Sequence, residues 1–250
     1  MNMIILTEKD RVGFDTYRFT DHRAEHVRMV LKAKPGDFVE IGLLDGAAGK
    51  GKIRQVSDNE IVLETAEMQN VPLPEPAVDL ICALPRPQTL KKVLFTAACM
   101  GVRSMHLIRA NRVEKSYFQS PLMEPENYAP FLVEGLSQGK LTRSPDIRIH
   151  DRFRLFFEET FPEIEKGYSE KYLKFVADPE TDVMIKNVYS KDIKRFVIAV
   201  GPEGGWVPFE IEAMEKAGFR KITLGRWLLR VESAVTAVLA QLELARDSGA

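Results

Sequence analysis

The amino-acid sequence predicts a mainly parallel α/β domain preceded by a small β-barrel. From residue 77 onward, apolar runs of strand length alternate with segments of helical periodicity, which is typical of a parallel sheet flanked by helices. Residues 1–70 instead combine several short strands with one helix. Proline stands at alternate positions between these regions, which predicts an extended linker over residues 71–76.

The barrel region is predicted from short β-branched runs that are separated by turn residues. Turn signals such as Asp45-Gly46 bound these runs. A helix is predicted at 23–32, with Thr20 or Asp21 as its N-cap. The predicted strands cover residues 3–6, 38–44, 51–56 and 61–65.

In the α/β region, the predicted helices cover residues 90–100, 121–141, 152–159, 208–217 and 231–245, and the strands cover 78–84, 104–108, 147–149, 173–177, 196–200 and 221–224. Proline at 125 and 130 predicts that the helix over 121–141 is broken. Glycine turns follow the last two strands. The carboxyl ends of parallel strands are where open α/β sheets bind ligands, so a ligand is expected there.

Composition and charge exclude several classes of protein. The 250 residues carry a net charge of −1, so no global field favours nucleic acid or membranes. No apolar run approaches the roughly 18 residues of a membrane span, and the first residues do not read as a secretory signal. Cys82 and Cys99 are expected to be free, buried thiols of a cytoplasmic protein. The four histidines are dispersed, so no metal site is predicted.

One stretch of the chain is locally basic. Between Asp79 and Glu124 the only acidic residue is Glu114. The basic residues there are Arg86, Lys91, Lys92, Arg103, Arg109, Arg112 and Lys115. Such a stripe is typical of phosphate contact in RNA binding, and the alternative is a solvated face balanced by acids from elsewhere in the fold.

Two features near the end of the chain suggest chemistry. The loop Gly201–Gly205 lets the backbone approach a ligand, but it lacks the residues of a P-loop and the spacing of a dinucleotide fingerprint. A nucleoside ligand or a tight turn without a ligand both fit it. Arg230 precedes the last helix and can stabilise negative charge on a substrate. Glu232 and Ser233 fit equally well as ordinary residues of a helix N-terminus.

These residues resemble the signature of a known family. The matching segments are 199–206, 210–211, 218–219, 224–225 and 229–234. They are similar to the ribosomal RNA small subunit methyltransferase E family, of the SPOUT class, whose members use S-adenosylmethionine to methylate N3 of a uridine in 16S ribosomal RNA. In the first region, His26, 30–32, 36–37 and 45–46 resemble the family's PUA-like, RNA-binding barrel.

The resemblance implies a two-domain SPOUT architecture. A PUA-like β-barrel would cover 1–70, a linker 71–76, and a SPOUT methyltransferase domain 77–250, with a trefoil knot over about 195–245. It also implies a cytoplasmic homodimer that acts on 16S ribosomal RNA, within the small ribosomal subunit, without a metal and without a membrane.

The resemblance also assigns site residues. Arg230 would lie beside the transferred methyl group as the catalytic residue. S-adenosylmethionine would contact Val176, Ala177, Asp178, Val200, Gly201, Pro202, Glu203, Gly204, Gly205, Leu224, Gly225, Leu228, Leu229 and Arg230. RNA would contact His26, Lys32, Arg86, Lys91, Arg112, Lys115 and Arg143.

The chain departs from the family pattern where RNA would be held. The unusual residues are Thr96, Cys99, Ser137 and Trp227. They leave open a SPOUT enzyme that acts on another nucleotide or on a ribose 2′-hydroxyl. A non-catalytic RNA-binding module is a further alternative.

Overall fold

The structure of this chain is a computed structural model that describes residues 2–75 and 77–248. The outer ends of the predicted domains, at Met1, Gly249 and Ala250, and the last linker residue, Pro76, lie outside the described residues. Two sheets organise the described part of the chain, one of five strands and one of six.

The first sheet is a half-barrel built from the first 69 residues. Its strands are β1 (Ile4–Leu6), β2 (Thr16–Phe19), β3 (Phe38–Leu43), β4 (Ala48–Val56) and β5 (Ile61–Gln69), in the order β1-β3-β4-β5-β2. Only β1 and β3 pair in parallel. β2 is not among the predicted strands. It has four residues, and it becomes a strand by pairing along β5.

The α-helix of this region begins where the sequence predicts, and a short 3₁₀ helix (Glu8–Asp10) comes before it. The Asp21 carboxylate caps α1 (His22–His26) by accepting a hydrogen bond of 3.0 Å from the Arg23 amide. The helix continues as a π-helical turn (Val27–Leu31) and ends at Lys32, whose φ of 52° is left-handed. The predicted helix over 23–32 is therefore confirmed, with Asp21 as its cap.

The second sheet is entirely parallel, as the alternating pattern predicts. Its strands are β6 (Ala77–Ala83), β7 (Ser104–Ile108), β8 (Asp146–His150), β9 (Tyr172–Ala177), β10 (Arg195–Val200) and β11 (Arg220–Ile222), in the order β11-β9-β10-β6-β7-β8. All six residues of β10 are buried, which is why this central strand reads as a continuous apolar run.

Helices cover both faces of the parallel sheet. One face packs on α2 (Pro87–Cys99), α3 (Pro125–Gly139) and α7 (Val231–Ser248), and the other packs on α4 (Phe153–Leu155), α5 (Phe161–Glu165) and α6 (Pro208–Lys216). A π-helical turn (Phe156–Thr160) joins α4 to α5. The sheet is thus the middle of three layers, and its strand ends remain open for a site.

Of the two predicted breaks in the helix over 121–141, the one at Pro125 is confirmed and the one at Pro130 is wrong. A 3₁₀ turn (Pro121–Met123) and the extended residue Glu124 come before α3. Pro125 is the first residue of α3, where no amide hydrogen is needed, and Pro130 lies inside the continuous helix. Glycines allow α3 to lie directly on α2. A Cβ atom at Gly135 or Gly139 would collide with the carbonyl oxygen of Phe95 or Cys99. This close packing offsets the hydrogen bond that Pro130 removes.

Strand β1 joins the two sheets. Ile4 and Leu6 are buried in the core of the half-barrel, whereas Met3 and Ile5 are buried in the core under α2 and α3. The hydroxyl of Ser137 on α3 donates a hydrogen bond to the Met3 carbonyl oxygen. One short strand therefore contributes to both cores.

A buried polar network runs across the parallel sheet from its amino end. The Arg195 guanidinium pairs with Asp79 at 2.5 Å, and the Ser104 hydroxyl donates to the same carboxylate at 2.6 Å. His106 Nδ1 lies 3.1 Å from His150 Nε2. Burial, together with the neighbouring His150, lowers the pKa of His106 to about 4. His106 is therefore neutral at neutral pH.

Candidate active site

A cleft of about 760 Å³ opens at the carboxyl ends of β9, β10 and β11. Three loops line it: residues 177–180 after β9, 200–208 after β10, and 223–229 except Arg226 after β11. Its size suits one small ligand. The sequence predicts a ligand at this edge of the sheet, and the structure brings the two glycine turns together there.

The cleft collects most of the residues that the sequence assigns to the cofactor. The lining includes Ala177, Asp178, Val200, Gly201, Pro202, Glu203, Gly204, Gly205, Leu224, Gly225, Leu228 and Leu229. Val176 does not line it, because its side chain is fully buried in the core on the α4 to α6 face. Arg230 is not among the lining residues either. It lies between two of them, Leu229 and Val231, with an exposed side chain.

The glycines in the loop after β10 leave room for neighbouring side chains. A Cβ at Gly201 would lie 3.1 Å from Trp206 Nε1, and one at Gly204 would lie 3.0 Å from Arg112 Cδ. Gly205 and Gly225 have φ values of 75° and 126°, which side chains rarely adopt. Exposed backbone and small residues therefore form much of the wall.

The Trp206 indole is a candidate donor at the base of this loop. Its Nε1 atom is buried and has no hydrogen-bond acceptor among the described residues. A buried donor without an acceptor is costly, and such groups usually find a partner. A ligand in the cleft that Trp206 lines can supply one.

The charged side chains around the cleft are mostly acidic. Five carboxylates line it, from Asp178, Glu180, Glu203, Glu212 and Glu215, against the cations Arg112 and Lys221. Lys221 Nζ lies 3.9 Å from the Asp178 carboxylate. This excess of negative charge favours a ligand that carries positive charge.

A buried carboxylate positions the basic loop against the cleft. Glu210 in the first turn of α6 is 0% exposed and accepts hydrogen bonds from the amides of Asn111 at 2.6 Å and Val207 at 3.0 Å. The adjacent Arg112 donates to the Gly204 carbonyl oxygen. Sequence reasoning did not assign Glu210 a role. A glutamate in the first turn of a helix that follows a glycine loop is the signal that indicates it.

Basic residues that the sequence assigns to RNA extend from the cleft rim along α2. Arg86, just before α2, pairs with Glu203 at 3.3 Å, and its amide donates to the same carboxylate at 3.2 Å. The Lys91 ammonium lies 5.2 Å from the ring centre of Phe131. Lys115 is exposed at the start of the 3₁₀ turn Lys115–Gln119. Arg86 and Arg112 thus reach the cleft loop itself.

The other predicted RNA-binding residues lie near the half-barrel. His26 lines a separate cavity of about 420 Å³ there, and Lys32 is exposed at the end of the helical segment. Arg143 is exposed next to Thr142, whose hydroxyl donates to the Gly46 carbonyl oxygen at 2.6 Å. These residues are not among those that line the cleft.

The start of α7 fixes the backbone of Arg230. Its carbonyl oxygen accepts the first helical hydrogen bond, from the Ala234 amide at 2.8 Å. The next acidic residue, Glu232, lies 3.3 Å from Lys92 on α2. The Glu232 carboxylate accepts a hydrogen bond from its own amide and lies beside Lys92. Both interactions lower the pKa of Glu232. Glu232 therefore serves the helix N-terminus, while the Arg230 guanidinium remains exposed.

The structure separates the unusual residues into buried and exposed ones. Ser137 is buried, and its hydrogen bond to Met3 anchors β1. Cys99 packs against Gly139 and is half-buried, so the prediction of a buried thiol at this position is wrong. Cys82 is buried as predicted, and burial raises the pKa of its thiol to about 12. Thr96 is half-buried on α2, and nothing in the structure explains its presence. Trp227 lines the cleft and is 70% exposed.

Two negative findings concern the described residues, 2–75 and 77–248. Within them, no helix has the length and apolar character needed to cross a membrane. The same residues contain no group of three or more His, Cys, Asp or Glu side chains that could hold a metal ion.

Known proteins share both the sequence pattern and the fold. Ribosomal RNA small subunit methyltransferase E of Treponema pallidum (strain Nichols) is 27% identical over 243 residues, which are 96% of this chain and 90% of that protein. A crystal structure of the enzyme of that name from Neisseria gonorrhoeae, bound to S-adenosyl methionine, has a TM-score of 0.75 at 17% identity and 97% coverage of both chains. The putative methyltransferase Lpg2936 of Legionella pneumophila, in complex with the same cofactor, also has a TM-score of 0.75, at 19% identity and 98% coverage of both chains.

These comparisons confirm the resemblance that the signature residues indicate. A family model described as an RNA methyltransferase domain matches residues 72–243. The match spans the parallel sheet, the cleft loops and most of α7. By its sequence and by the fold that carries its cleft, the chain belongs to the RNA methyltransferase domain family.

Proposed function

We propose that this chain transfers a methyl group from S-adenosylmethionine to N3 of a uridine in 16S ribosomal RNA. The observation that carries the proposal is the cleft, where glycine loops, an acidic lining and the start of α7 meet. The fold is that of proteins crystallised with this cofactor. The relatives similar over most of the chain are named as ribosomal RNA methyltransferases.

The cleft residues fit this cofactor chemically. S-adenosylmethionine carries a sulfonium, an ammonium and one carboxylate, so its net charge is positive and suits the five carboxylates of the lining. The loop Gly201–Gly205 offers backbone groups to the nucleoside, and Trp206 offers its indole N–H. The bound cofactor supplies an electrophilic methyl group, and the protein supplies orientation and electrostatics.

Arg230 is the residue proposed to act on the substrate. Uracil N3 becomes a nucleophile only after its proton leaves, and the negative charge is then shared with O2 and O4. A guanidinium beside the ring stabilises that charge. Because the Arg230 carbonyl oxygen accepts the first hydrogen bond of α7, the base of the side chain is fixed in place next to the cleft loop that ends at Leu229.

The basic residues are proposed to hold the RNA backbone. Arg86, Lys91, Arg112 and Lys115 form a band from the cleft rim along α2 and the neighbouring turn. His26, Lys32 and Arg143 continue this contact near the half-barrel. Since the chain is nearly neutral overall, this local concentration of cations supports a phosphate-bearing partner.

We also propose the architecture that the resemblance implies, with a PUA-like barrel at 1–70, a linker at 71–76 and a knotted SPOUT domain at 77–250. The strand order supports a knot over about 195–245, because β10 inserts between β9 and β6 while β11 lies beyond β9. The resemblance alone is the basis for proposing a homodimer formed through α7. We propose that the protein acts in the cytoplasm, because small ribosomal subunits are found there.

The proposed reaction is tested by mapping the methylated nucleoside. Unmodified 16S ribosomal RNA, free or assembled into small subunits, is incubated with the protein and cofactor carrying a deuterated methyl group. Nuclease digestion and mass spectrometry are expected to show one labelled N3-methyluridine. Label on another base or on a ribose 2′-hydroxyl would show that uridine N3 is not the atom that is methylated. Absence of label from both RNA forms would reject the activity.

A further inference from the structure

We infer that Trp227 is a stacking platform for a nucleobase of the RNA at the mouth of the cleft. The inference rests on the proposed function, since it names how that substrate is gripped. The ring of Trp227 belongs to the wall of the cleft, in the loop that follows β11. It is 70% exposed, and the next residue, Leu228, is 84% exposed.

The exposure of Trp227 is unusual for a residue of its size. Burying a large aromatic side chain stabilises a fold, and the other tryptophan of the chain, Trp206, packs against both main cores of the parallel sheet. Trp227 belongs to none of the hydrophobic clusters of the described residues. A folded chain that leaves this ring in water keeps it available for a partner.

The cations beside the ring and at the adjoining loop favour a nucleic acid as the partner. The Arg226 guanidinium carbon lies 4.7 Å from the centre of the Trp227 ring, as in a cation–π contact. Arg112 lines the same cleft, and Arg86 lies at the adjoining loop. Aromatic rings interleaved with cations are how proteins hold unpaired bases and the phosphates that link them.

The position of Trp227 in the chain fits a role in holding an unstacked base near the cleft. Trp227 lies three residues before Arg230 on the same loop, and Leu228 and Leu229 between them line the cleft. A base that reacts in the cleft must leave its stack, and this costs free energy. A ring at the mouth offers a replacement stacking partner for the target base or its neighbour.

The inference is tested with Trp227→Ala and Trp227→Phe, both at an exposed position, using full-length 16S ribosomal RNA as the probe. Trp227→Ala is expected to weaken RNA binding roughly 5- to 150-fold, the range for losing one stacked base. Trp227→Phe is expected to keep most of the affinity, because it keeps an aromatic face. The melting temperature is expected to stay unchanged in both variants, because the side chain is 70% exposed.

Fluorescence supplies a readout that does not depend on turnover. RNA is expected to quench the wild-type emission, and the quenching is expected to disappear in Trp227→Phe, where Trp206 is the remaining tryptophan. Equal RNA affinity of Trp227→Ala and the wild type would overturn the inference. A loss of self-association in place of RNA affinity would overturn it too, since the ring would then contact a second copy. If the wild type neither binds nor methylates the RNA, the proposed function itself fails.

Discussion

The two ends of the parallel sheet use similar side chains in opposite ways. At the amino end, Arg195 and Asp79 are 6% and 2% exposed and pair with each other. At the carboxyl end, the Arg230 side chain is exposed, and Glu203 and Arg86 meet across a partly solvated loop at 3.3 Å. Both ends are polar, and a cleft with room for a ligand opens at the carboxyl end.

The difference shows that pairing and burial, not residue type, decide which polar groups are available for chemistry. A buried charge whose partners are all inside the protein is held in one state, and removing a partner leaves an uncompensated charge. An exposed arginine at the start of a helix has little to stabilise in the protein alone. Such an arginine can instead stabilise negative charge that develops on a substrate. Substitutions at the two ends are therefore expected to separate activity from stability.

The largest effect is expected from Arg230→Ala. Removing a positioned cation that stabilises developing charge should lower methyl transfer by about 10²- to 10³-fold or more. Cofactor affinity should remain at the wild-type value, because Arg230 is not among the residues that line the cleft. The melting temperature should not change either, because the side chain is exposed. Single-turnover methylation with labelled cofactor measures the first, and calorimetric titration the second. Turnover close to wild type would remove Arg230 from the chemistry.

The opposite outcome is expected from Arg195→Leu at the amino end. Removing this guanidinium leaves the Asp79 carboxylate buried and uncompensated, so the free energy of unfolding should fall by about 3–5 kcal/mol. Urea denaturation followed by circular dichroism measures this loss. Asp79→Asn combined with Arg195→Leu should recover part of it, because the double variant no longer buries a lone charge. The folded fraction should bind cofactor with unchanged affinity.

A smaller effect should follow from pH. The pKa of His106 is about 4 in the folded chain, below its usual value, so between pH 6.5 and pH 4 the unfolded chain binds the proton that the native state excludes. Stability from His106 is therefore present above pH 6.5 and is lost as pH falls. About 2 kcal/mol should disappear between pH 7 and pH 5. Urea midpoints should fall less steeply in His106→Asn, and equal slopes would contradict this role.

Much of the fold follows from local sequence signals. The buried run of β10, the glycine turns and the Asp21 cap are each written in a few neighbouring residues. The break predicted at Pro130 was wrong and β2 was not predicted, because both structures depend on residues that are distant in the chain. Gly135 and Gly139 let α2 approach α3 closely, and β5 supplies the hydrogen bonds of β2. No pattern within α3 or β2 alone contains that information.

The site follows the same division. The cleft loops could be predicted, because glycines at the ends of parallel strands have a local signature. The hydrogen bond from the Asn111 amide to the Glu210 carboxylate joins residues that are far apart in the chain, so no local sequence pattern predicts it. Ser137 was unusual for the family, and its structural reason, a hydrogen bond to Met3, is equally non-local.

Hydrogen–deuterium exchange with and without S-adenosylmethionine tests the comparison between the two ends most directly. Cofactor is expected to slow exchange in the three cleft loops, 177–180, 200–208 and 223–229. The strands around Asp79, His106 and Arg195 should be protected already and should not change. Protection centred on the amino end, or no protection in the three loops at saturating cofactor, would contradict the account.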